Sequence, residues 1–201
     1  MHIIIKEKEK RIDMRIITGS ARGAVLKTLE GERTRPTAEK VKEAVFSALQ
    51  FDLEGRSFLD LFAGSGQMGL EALSRGARRA VFIDESREAM EIVKENAKKT
   101  GFFDVSHFLV SDYRNYLRKA AGREKFDIVF IDPPYAERIA LDAMARVIAA
   151  GMAKYGTLFV LESEEDLLAE ATPDESCFEV LKAKKYGRTY VHILRYVKEE
   201  D

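Results

Sequence analysis

The sequence predicts an α/β fold built around a mostly parallel sheet of seven strands. From Ser57 onward, short apolar runs rich in β-branched and aromatic residues alternate with stretches of helical periodicity. This alternation is typical of a parallel sheet with helices on both faces. The last two apolar runs follow one another with only a short turn between them, which predicts an antiparallel hairpin at the C-terminal end.

The elements are predicted in chain order. Residues 14–29 form two short strands around a glycine-bounded turn, a small N-terminal β-hairpin. Pro36 opens a helix, because apolar residues between 41 and 49 recur on one helical face. The predicted strands are Phe58–Phe62, Ala80–Ile83, His107–Val110, Phe126–Ile131, Thr157–Leu161, Cys177–Lys184 and Thr189–Tyr196. The helices between them are Met68–Arg75, Arg87–Lys99, Tyr113–Ala120 and Glu137–Ala150.

Length and composition limit the class of protein. A chain of 201 residues with 46% hydrophobic and 33% charged residues is long enough for one domain with a proper core. A single cysteine and the lack of Cys/His clusters with ligand spacing favour a reduced cytoplasmic compartment and no metal. No uncharged apolar stretch approaches the roughly 20 residues that span a bilayer, so we expect no membrane association.

Charge is distributed unevenly along the chain. Residues 1–42 contain 11 Lys and Arg against 6 Asp and Glu, whereas the remainder contains 22 against 28. A basic N-terminal part followed by an acidic remainder is typical of a nucleic-acid-binding surface. A solvated charged surface explains the same distribution equally well. Residues 1–13 are interpreted as an extension and Met14 as a candidate alternative start, because purine-rich ribosome-binding DNA would encode the Lys, Glu and Arg residues upstream of it.

The most informative motif is Asp132-Pro133-Pro134-Tyr135, directly after the predicted buried strand Phe126–Ile131. Two successive prolines fix φ twice and remove two backbone donors, so their carbonyl groups are held stiffly and remain able to accept hydrogen bonds. A carboxylate precedes them and an aromatic ring follows. This arrangement suits a planar group that carries an NH2: the acid and a proline carbonyl accept its two hydrogens, and the ring stacks on its face.

A glycine-rich turn predicts a nucleotide-like ligand. Residues Gly64–Gly69 fit G-x-G-x-x-G between a strand and a helix, and Asp84 ends the next strand where a carboxylate usually binds a ribose diol. Alone, the glycine pattern also suits a nicotinamide or flavin site. Asp60 on the first strand argues against a dinucleotide, because it would repel a pyrophosphate but attract the sulfonium and ammonium groups of S-adenosylmethionine.

These residues are expected to meet at one crevice. Gly64, Asp84, Asp112 and Asp132 each follow the carboxyl end of a predicted strand, where open α/β sheets bind their ligands. Asp112 is either an acceptor for the adenine amine, the N-cap of the helix that starts at Tyr113, or both. Together the motifs predict an adenosylmethionine-dependent methyltransferase acting on an exocyclic or amide nitrogen.

The same residues carry a family resemblance. Asp60–Gly69, Asp84 and Asp132–Tyr135 resemble the cofactor and amino-group motifs of class I methyltransferases. Residues 14–23 and 34–37 resemble the opening of the RsmD family of 16S ribosomal RNA guanine-N2 methyltransferases, and residues 185–189 its final hairpin. Arg188 departs from the acidic residue expected in that hairpin. The resemblance implies a Rossmann-like class I methyltransferase fold over 34–201, preceded by a hairpin over 14–33 that contacts RNA.

The resemblance also implies S-adenosyl-L-methionine as cofactor and 16S rRNA, or the assembling small ribosomal subunit, as partner. The candidate catalytic residues are Asp132, Pro133, Pro134 and Tyr135. The candidate cofactor-binding residues are Asp60, Phe62, Gly64, Ser65, Gly66, Asp84, Asp112, Tyr113, Arg35 and Thr37. The candidate RNA-binding residues are Arg15, Arg22, Lys27, Arg33 and Arg35.

Three other functions remain open from the sequence. The Asp-Pro-Pro-Tyr motif suits any planar NH2, so a DNA adenine-N6 methyltransferase is an alternative, although the chain leaves little room for a DNA-recognition domain. A protein glutamine-N5 methyltransferase is another, although its motif usually begins with Asn. A non-catalytic module that binds adenosylmethionine or RNA is the alternative outside the enzymes.

Overall fold

The computed structural model describes residues 14–29, 36–133, 138–170, 174 and 176–198. Its helices are α1 (Pro36–Ala48), α2 (Gln67–Ser74), α3 (Arg87–Thr100), α4 (Tyr113–Ala120), α5 (Arg138–Ala149) and α6 (Leu167–Glu170), with a short 3-10 helix at Phe103–Val105. Its strands are β1 (Ser57–Asp60), β2 (Arg79–Asp84), β3 (Ser106–Val110), β4 (Ile128–Ile131), β5 (Leu158–Ser163), β6 (Phe178–Tyr186) and β7 (Thr189–Tyr196).

The seven strands form one sheet in the order β3-β2-β1-β4-β5-β7-β6. The first five of these strands run parallel, and β7 pairs antiparallel with both β5 and β6. The predicted α/β architecture, with a terminal antiparallel hairpin, is therefore confirmed. Since β7 runs against β5, the turn between β6 and β7 lies at the same sheet edge as the carboxyl ends of the parallel strands.

Each face of the sheet contributes to its own core, because side chains alternate along a strand. Phe58, Phe130 and Val160 pack on one face, together with buried residues of α1, α2 and α3. Leu59, Val129 and Phe159 pack on the other, against α4 and α5. Buried apolar strands between two helical layers leave the loops at the strand ends as the place for polar chemistry.

The N-terminal segment, residues 14–29, is simpler than predicted. It turns back on itself through a single bridge between Arg15 and Val25 instead of two regular strands. The backbone amides of Ile17 and Thr18 are used elsewhere: they donate to the Glu71 carboxylate of α2 at 2.7 and 3.0 Å. Regular strand pairing within the segment is thus limited to this bridge, and Glu71 fastens the residues after it to α2.

Several contacts fasten this segment to the domain. Glu71 is fully buried and forms a 2.7 Å ion pair with Arg75. Lys42 donates a 2.6 Å hydrogen bond to the Arg15 carbonyl group. Asn96 of α3 donates to the carbonyl groups of both Lys27 (2.9 Å) and Ser65 (3.0 Å). The N-terminal segment is thereby tied to the loop that follows β1.

The other differences are smaller. Strand β1 ends at Asp60, two residues before its predicted end, and β6 extends to Tyr186, two residues beyond its own. Strand β4 begins at Ile128, two residues later than predicted, because the Phe126 amide donates to the carbonyl of Met152 outside the sheet. The sequence did not predict α6, a single turn of helix after β5. Residues 1–13, 30–35, 134–137, 171–173, 175 and 199–201 lie outside the described residues, and with them the whole of the predicted extension and part of the predicted motif. Among the described helices, none combines the length and apolar character needed to cross a lipid bilayer.

Candidate active site

The glycine-rich loop joins β1 to α2 in a conformation that requires glycine. Gly64 and Gly66 have φ angles of 51° and 78°, in the left-handed region that other residues rarely adopt. A Cβ atom on Gly66 would lie 2.8 Å from Val93 of α3, and one on Gly69 would lie 2.3 Å from the Phe82 ring. The glycines therefore allow both the tight turn and the close packing of α2 on the sheet.

Asp84 at the end of β2 holds this loop in place. Its Oδ2 accepts a 2.8 Å hydrogen bond from the Gly64 amide, and its Oδ1 accepts one of equal length from the Ser86 amide. A carboxylate has about four lone-pair sites, so two remain for the hydroxyl groups of a ribose. Asp84 thus stands at the position predicted for a ribose-binding acid, and the two backbone amides fix the orientation of its carboxylate.

Asp60 at the end of β1 is buried and only partly satisfied. Its Oδ2 accepts a 3.1 Å hydrogen bond from the Gly69 amide, whereas Oδ1 is buried without a hydrogen-bond partner among the described residues. Burial, and to a smaller extent the nearby charges of Asp132 and Asp84, raise the pKa of this carboxyl group to about 7, although the hydrogen bond from Gly69 acts in the opposite direction. A buried acceptor of this kind indicates a missing donor or cation.

Asp132 and Pro133 follow β4 at the same edge of the sheet. Asp132 is exposed and Pro133 is half-buried, while Pro134 and Tyr135 lie outside the described residues. The Asp132 charge raises the pKa of Asp60, so the two carboxyl groups interact across the crevice. The first acid of the predicted motif is therefore near the predicted cofactor acid.

Glu162 on β5 is a site residue that the sequence analysis missed. Burial raises the pKa of this half-buried carboxyl group well above its usual value, and the charges of Asp132 and then Asp60 add to the effect. A signal was present, since Glu162 follows Leu161 at the end of a predicted strand, as Asp84 and Asp132 do after theirs. The acidic residues that follow Glu162 in the sequence make this position look like part of a solvated loop.

Asp112 acts as the N-cap of α4. Its Oδ1 accepts hydrogen bonds from the amides of Arg114 (2.8 Å) and Asn115 (3.1 Å), which confirms that one of its two predicted roles is filled. The next residue, Tyr113, is buried, and its hydroxyl group donates to Asp142 at 2.7 Å. Its ring lies 5.2 Å from that of Phe62, so these two predicted cofactor residues form one aromatic wall beside Asp112.

Comparison with known proteins identifies the family. The family model described as "Conserved hypothetical protein 95" matches residues 14–195. The chain belongs to this family. The Escherichia coli and Haemophilus influenzae proteins named "Ribosomal RNA small subunit methyltransferase D" are 33% and 32% identical, over 75% and 77% of this chain and 75% and 80% of their own lengths. The family is thus that of the small-subunit methyltransferase D proteins.

Other similarities cover almost the whole chain. The Bacillus subtilis protein YlbH is 35% identical over 184 residues, which are 90% of this chain and 98% of that protein. The solved structure of the Escherichia coli protein yhhF superimposes with a TM-score of 0.79 at 26% identity, over 93% of this chain and 99% of that one. The Rossmann-like methyltransferase fold of the family therefore extends over most of this chain.

The structure describes most of the predicted cofactor-binding and catalytic residues. Nine of them lie at the carboxyl ends of β1 to β4 or in the segments that follow: Asp60, Phe62, Gly64, Gly66, Asp84, Asp112, Tyr113, Asp132 and Pro133. Ser65 belongs to the same loop, but its hydroxyl group donates to the sulfur of Met14 at 3.5 Å, so its side chain faces the N-terminal segment. Arg35 and Arg33 lie outside the described residues, as does the side chain of Thr37.

The predicted RNA-contact residues that the structure describes are exposed. Arg15 and Lys27 point outward, because their neighbours Met14, Ile16 and Leu26 are buried against the domain. Lys27 forms an exposed 2.8 Å ion pair with Glu95, and Arg22 lies in the turn. No group of three or more side chains suited to a metal ion occurs within the described ranges.

Proposed function

We propose that this protein is an S-adenosylmethionine-dependent methyltransferase that modifies the exocyclic N2 amine of a guanine in 16S ribosomal RNA. The observation that carries the proposal is the buried Oδ1 of Asp60, which lacks a hydrogen-bond partner among the described residues and lies beside a glycine-rich loop. A dinucleotide phosphate would be repelled there, whereas a cationic ligand would satisfy the carboxylate. The relatives named as ribosomal RNA methyltransferases support the same reaction.

The described residues fit the cofactor at three points. Asp60 would face its positively charged end, Asp84 its ribose hydroxyl groups, and Asp112 its adenine amine beside the Phe62 and Tyr113 rings. Bound adenosylmethionine would supply an electrophilic methyl group on a sulfonium. The clustered carboxylates would be stabilised by that positive charge, which lowers the cost of keeping them ionised.

Asp132 and Pro133 would act on the amine. The lone pair of guanine N2 is delocalised into the ring, which makes the amine a poor nucleophile. Hydrogen bonds from its two N–H groups to the Asp132 carboxylate and the Pro133 carbonyl would favour a pyramidal nitrogen with an available lone pair. As the N–C bond forms, positive charge develops on the nitrogen, and Asp132 stabilises it before Asp132 or water takes the proton.

The RNA would lie across two basic surfaces. One is the outward face of the N-terminal segment with Arg15, Arg22 and Lys27. The other is the turn of the β6–β7 hairpin, where Lys184, Lys185 and Arg188 are exposed at the same sheet edge as the crevice. Such cations would bind phosphates without reading sequence. A ribosomal RNA substrate would place the enzyme in the cytoplasm.

Aromatic rings accompany the cations of the hairpin. The Nζ atoms of Lys182 and Lys184 lie 5.7 and 5.6 Å from the centre of the Tyr186 ring, and that of Lys185 lies 4.6 Å from the Tyr190 ring. Cations over ring faces stabilise both groups and combine charge with a stacking platform. This combination supports a single-stranded or looped RNA at the hairpin more than a regular duplex.

The proposal is tested by locating the transferred methyl group. Small ribosomal subunits from cells that lack this modification are incubated with the protein and labelled adenosylmethionine, and the product nucleosides are identified by mass spectrometry. We expect N2-methylguanine at one position of 16S rRNA, formed about 10²–10³ times more slowly by the Asp132→Ala variant. Label on adenine N6 or on a protein glutamine, or no transfer to any substrate, would contradict the proposal.

A further inference from the structure

Glu162 lies next to Asp132 across two neighbouring strands. In the parallel pair β4 and β5, Ile131 is aligned with Leu161, so the next residue of each strand stands side by side at the carboxyl edge. Ile131 and Leu161 pack in one core, while Phe130 and Val160 pack in the other. By this alternation the two acids lie on the face of Phe130 and Val160.

This face also holds Asp60, which explains why the three carboxyl groups interact. Burial and then the charges of Asp132 and Asp60 raise the pKa of Glu162. Asp60 also has a fully buried oxygen that lacks a hydrogen-bond partner among the described residues. Together these observations indicate that donors or cations from a ligand complete the cluster.

The strand order places the glycine-rich loop and Glu162 on opposite sides of Asp132. The glycine-rich loop and Asp84 follow β1 and β2, whereas Glu162 belongs to β5, which is separated from β1 by β4. A cofactor lying over the loop and Asp84 approaches Asp132 from the β1 side. Glu162 is therefore one strand beyond Asp132, on the side from which the acceptor of the methyl group would enter.

We infer that Glu162 determines base specificity by accepting the N1–H of the target guanine while Asp132 holds its N2 amine. This inference rests on the function proposed above. Guanine presents N1–H and N2–H donors side by side on its Watson–Crick edge, and two adjacent carboxylates are the matching acceptors. With the carboxylates kept ionised by the positive charge of the bound cofactor, adenine, which presents an acceptor at N1, would face Glu162 without a proton between them. Glu162 thus favours guanine over any base whose N1 lacks hydrogen.

The base 2-aminopurine tests this role, because it has the same exocyclic amine at C2 but an unprotonated N1. Synthetic RNAs that carry guanine or 2-aminopurine at the mapped target position are compared by kcat/KM. We expect the wild-type protein to prefer guanine by about 100-fold or more, since a site built to accept a hydrogen bond rejects an analogue that lacks the donor. The Glu162→Gln variant should lower that preference at least about tenfold, because its amide can donate as well as accept.

Two controls make the outcome decisive. Glu164→Gln alters an exposed acid two residues away and should leave the preference unchanged. The cofactor Kd of Glu162→Gln should stay within about twofold of wild type, because the cofactor lies on the other side of Asp132. An unchanged preference in Glu162→Gln overturns the inference, and a weakened cofactor affinity with unchanged preference would assign Glu162 to the cofactor instead. A wild-type protein that methylates neither RNA would contradict the proposed function itself.

Discussion

The carboxylate of Asp84 joins two strand ends by accepting a 2.8 Å hydrogen bond from the amide of Gly64. Asp84 ends β2 and Gly64 lies in the loop after β1, so this bond fixes the loop relative to the neighbouring strand. The glycine-rich turn and Asp84, the proposed ribose-binding acid, are therefore one structural unit. A ligand that binds the acid meets a loop already held in position.

Replacing Asp84 by Asn should weaken cofactor binding by about 10–100-fold. The amide offers one acceptor oxygen in place of two, and hydrogen bonds to a charged group contribute about 1.5–3 kcal/mol. Isothermal titration with adenosylhomocysteine measures the effect. Asp104→Asn, in an exposed position of the 3-10 helix, is the matched control. A Kd for Asp84→Asn within twofold of wild type would exclude the proposed ribose contact.

Asp132→Ala should lower kcat by about 10²–10³, the scale for losing one preorganised stabilising group, while the cofactor Kd changes less than about threefold. The side chain is exposed, so its removal should leave the free energy of unfolding nearly unchanged. Asp132→Asn keeps an acceptor oxygen and should retain part of the activity. Near-normal turnover by Asp132→Ala would remove this residue from the reaction.

Cofactor affinity should increase with pH around neutrality. The pKa of Asp60 is raised to about 7 by burial and by Asp132 and Asp84, and only the ionised form attracts a cation. Below pH 7 the site must lose a proton to bind, so adenosylmethionine should bind about tenfold more weakly at pH 6 than at pH 8. Adenosine, which has no cationic group, is the control. Equal pH dependence for the two ligands would show that the Asp60 charge has no part in binding.

Glu71→Gln should release the N-terminal segment. The buried Glu71 carboxylate accepts the amides of Ile17 and Thr18 and pairs with Arg75, and a neutral amide cannot satisfy all three. We expect the free energy of unfolding to fall by about 1–3 kcal/mol and trypsin to cut faster at Arg22. Glu91→Gln breaks only an exposed pair with Lys94 and should change stability by less than about 0.5 kcal/mol. Equal behaviour of the two variants would contradict the anchoring role.

The sequence predicted what depends on local pattern. Strands such as Ile128–Ile131, the glycine turn and the acids after each strand follow from periodicity and from the general position of ligands in α/β sheets. It missed features that depend on contacts between distant residues. The two amides that donate to Glu71 lie more than 50 positions from it, so the sequence could not show how the N-terminal segment is fastened to α2. The position of Glu162 at the end of a predicted strand was a sequence signal, but its proximity to Asp132 follows from the register of β5 against β4.

The central claim is that the carboxyl ends of β1, β2 and β4 bind adenosylmethionine with its reactive end toward Asp132. A crystal structure with sinefungin, an analogue that carries an amine near the position of the transferred methyl group, tests it most directly. We predict the ribose hydroxyl groups on Asp84, a donor on the buried Oδ1 of Asp60, and the analogue's amine facing Asp132. Sinefungin bound elsewhere, or bound with Oδ1 of Asp60 still lacking a donor, would contradict the claim.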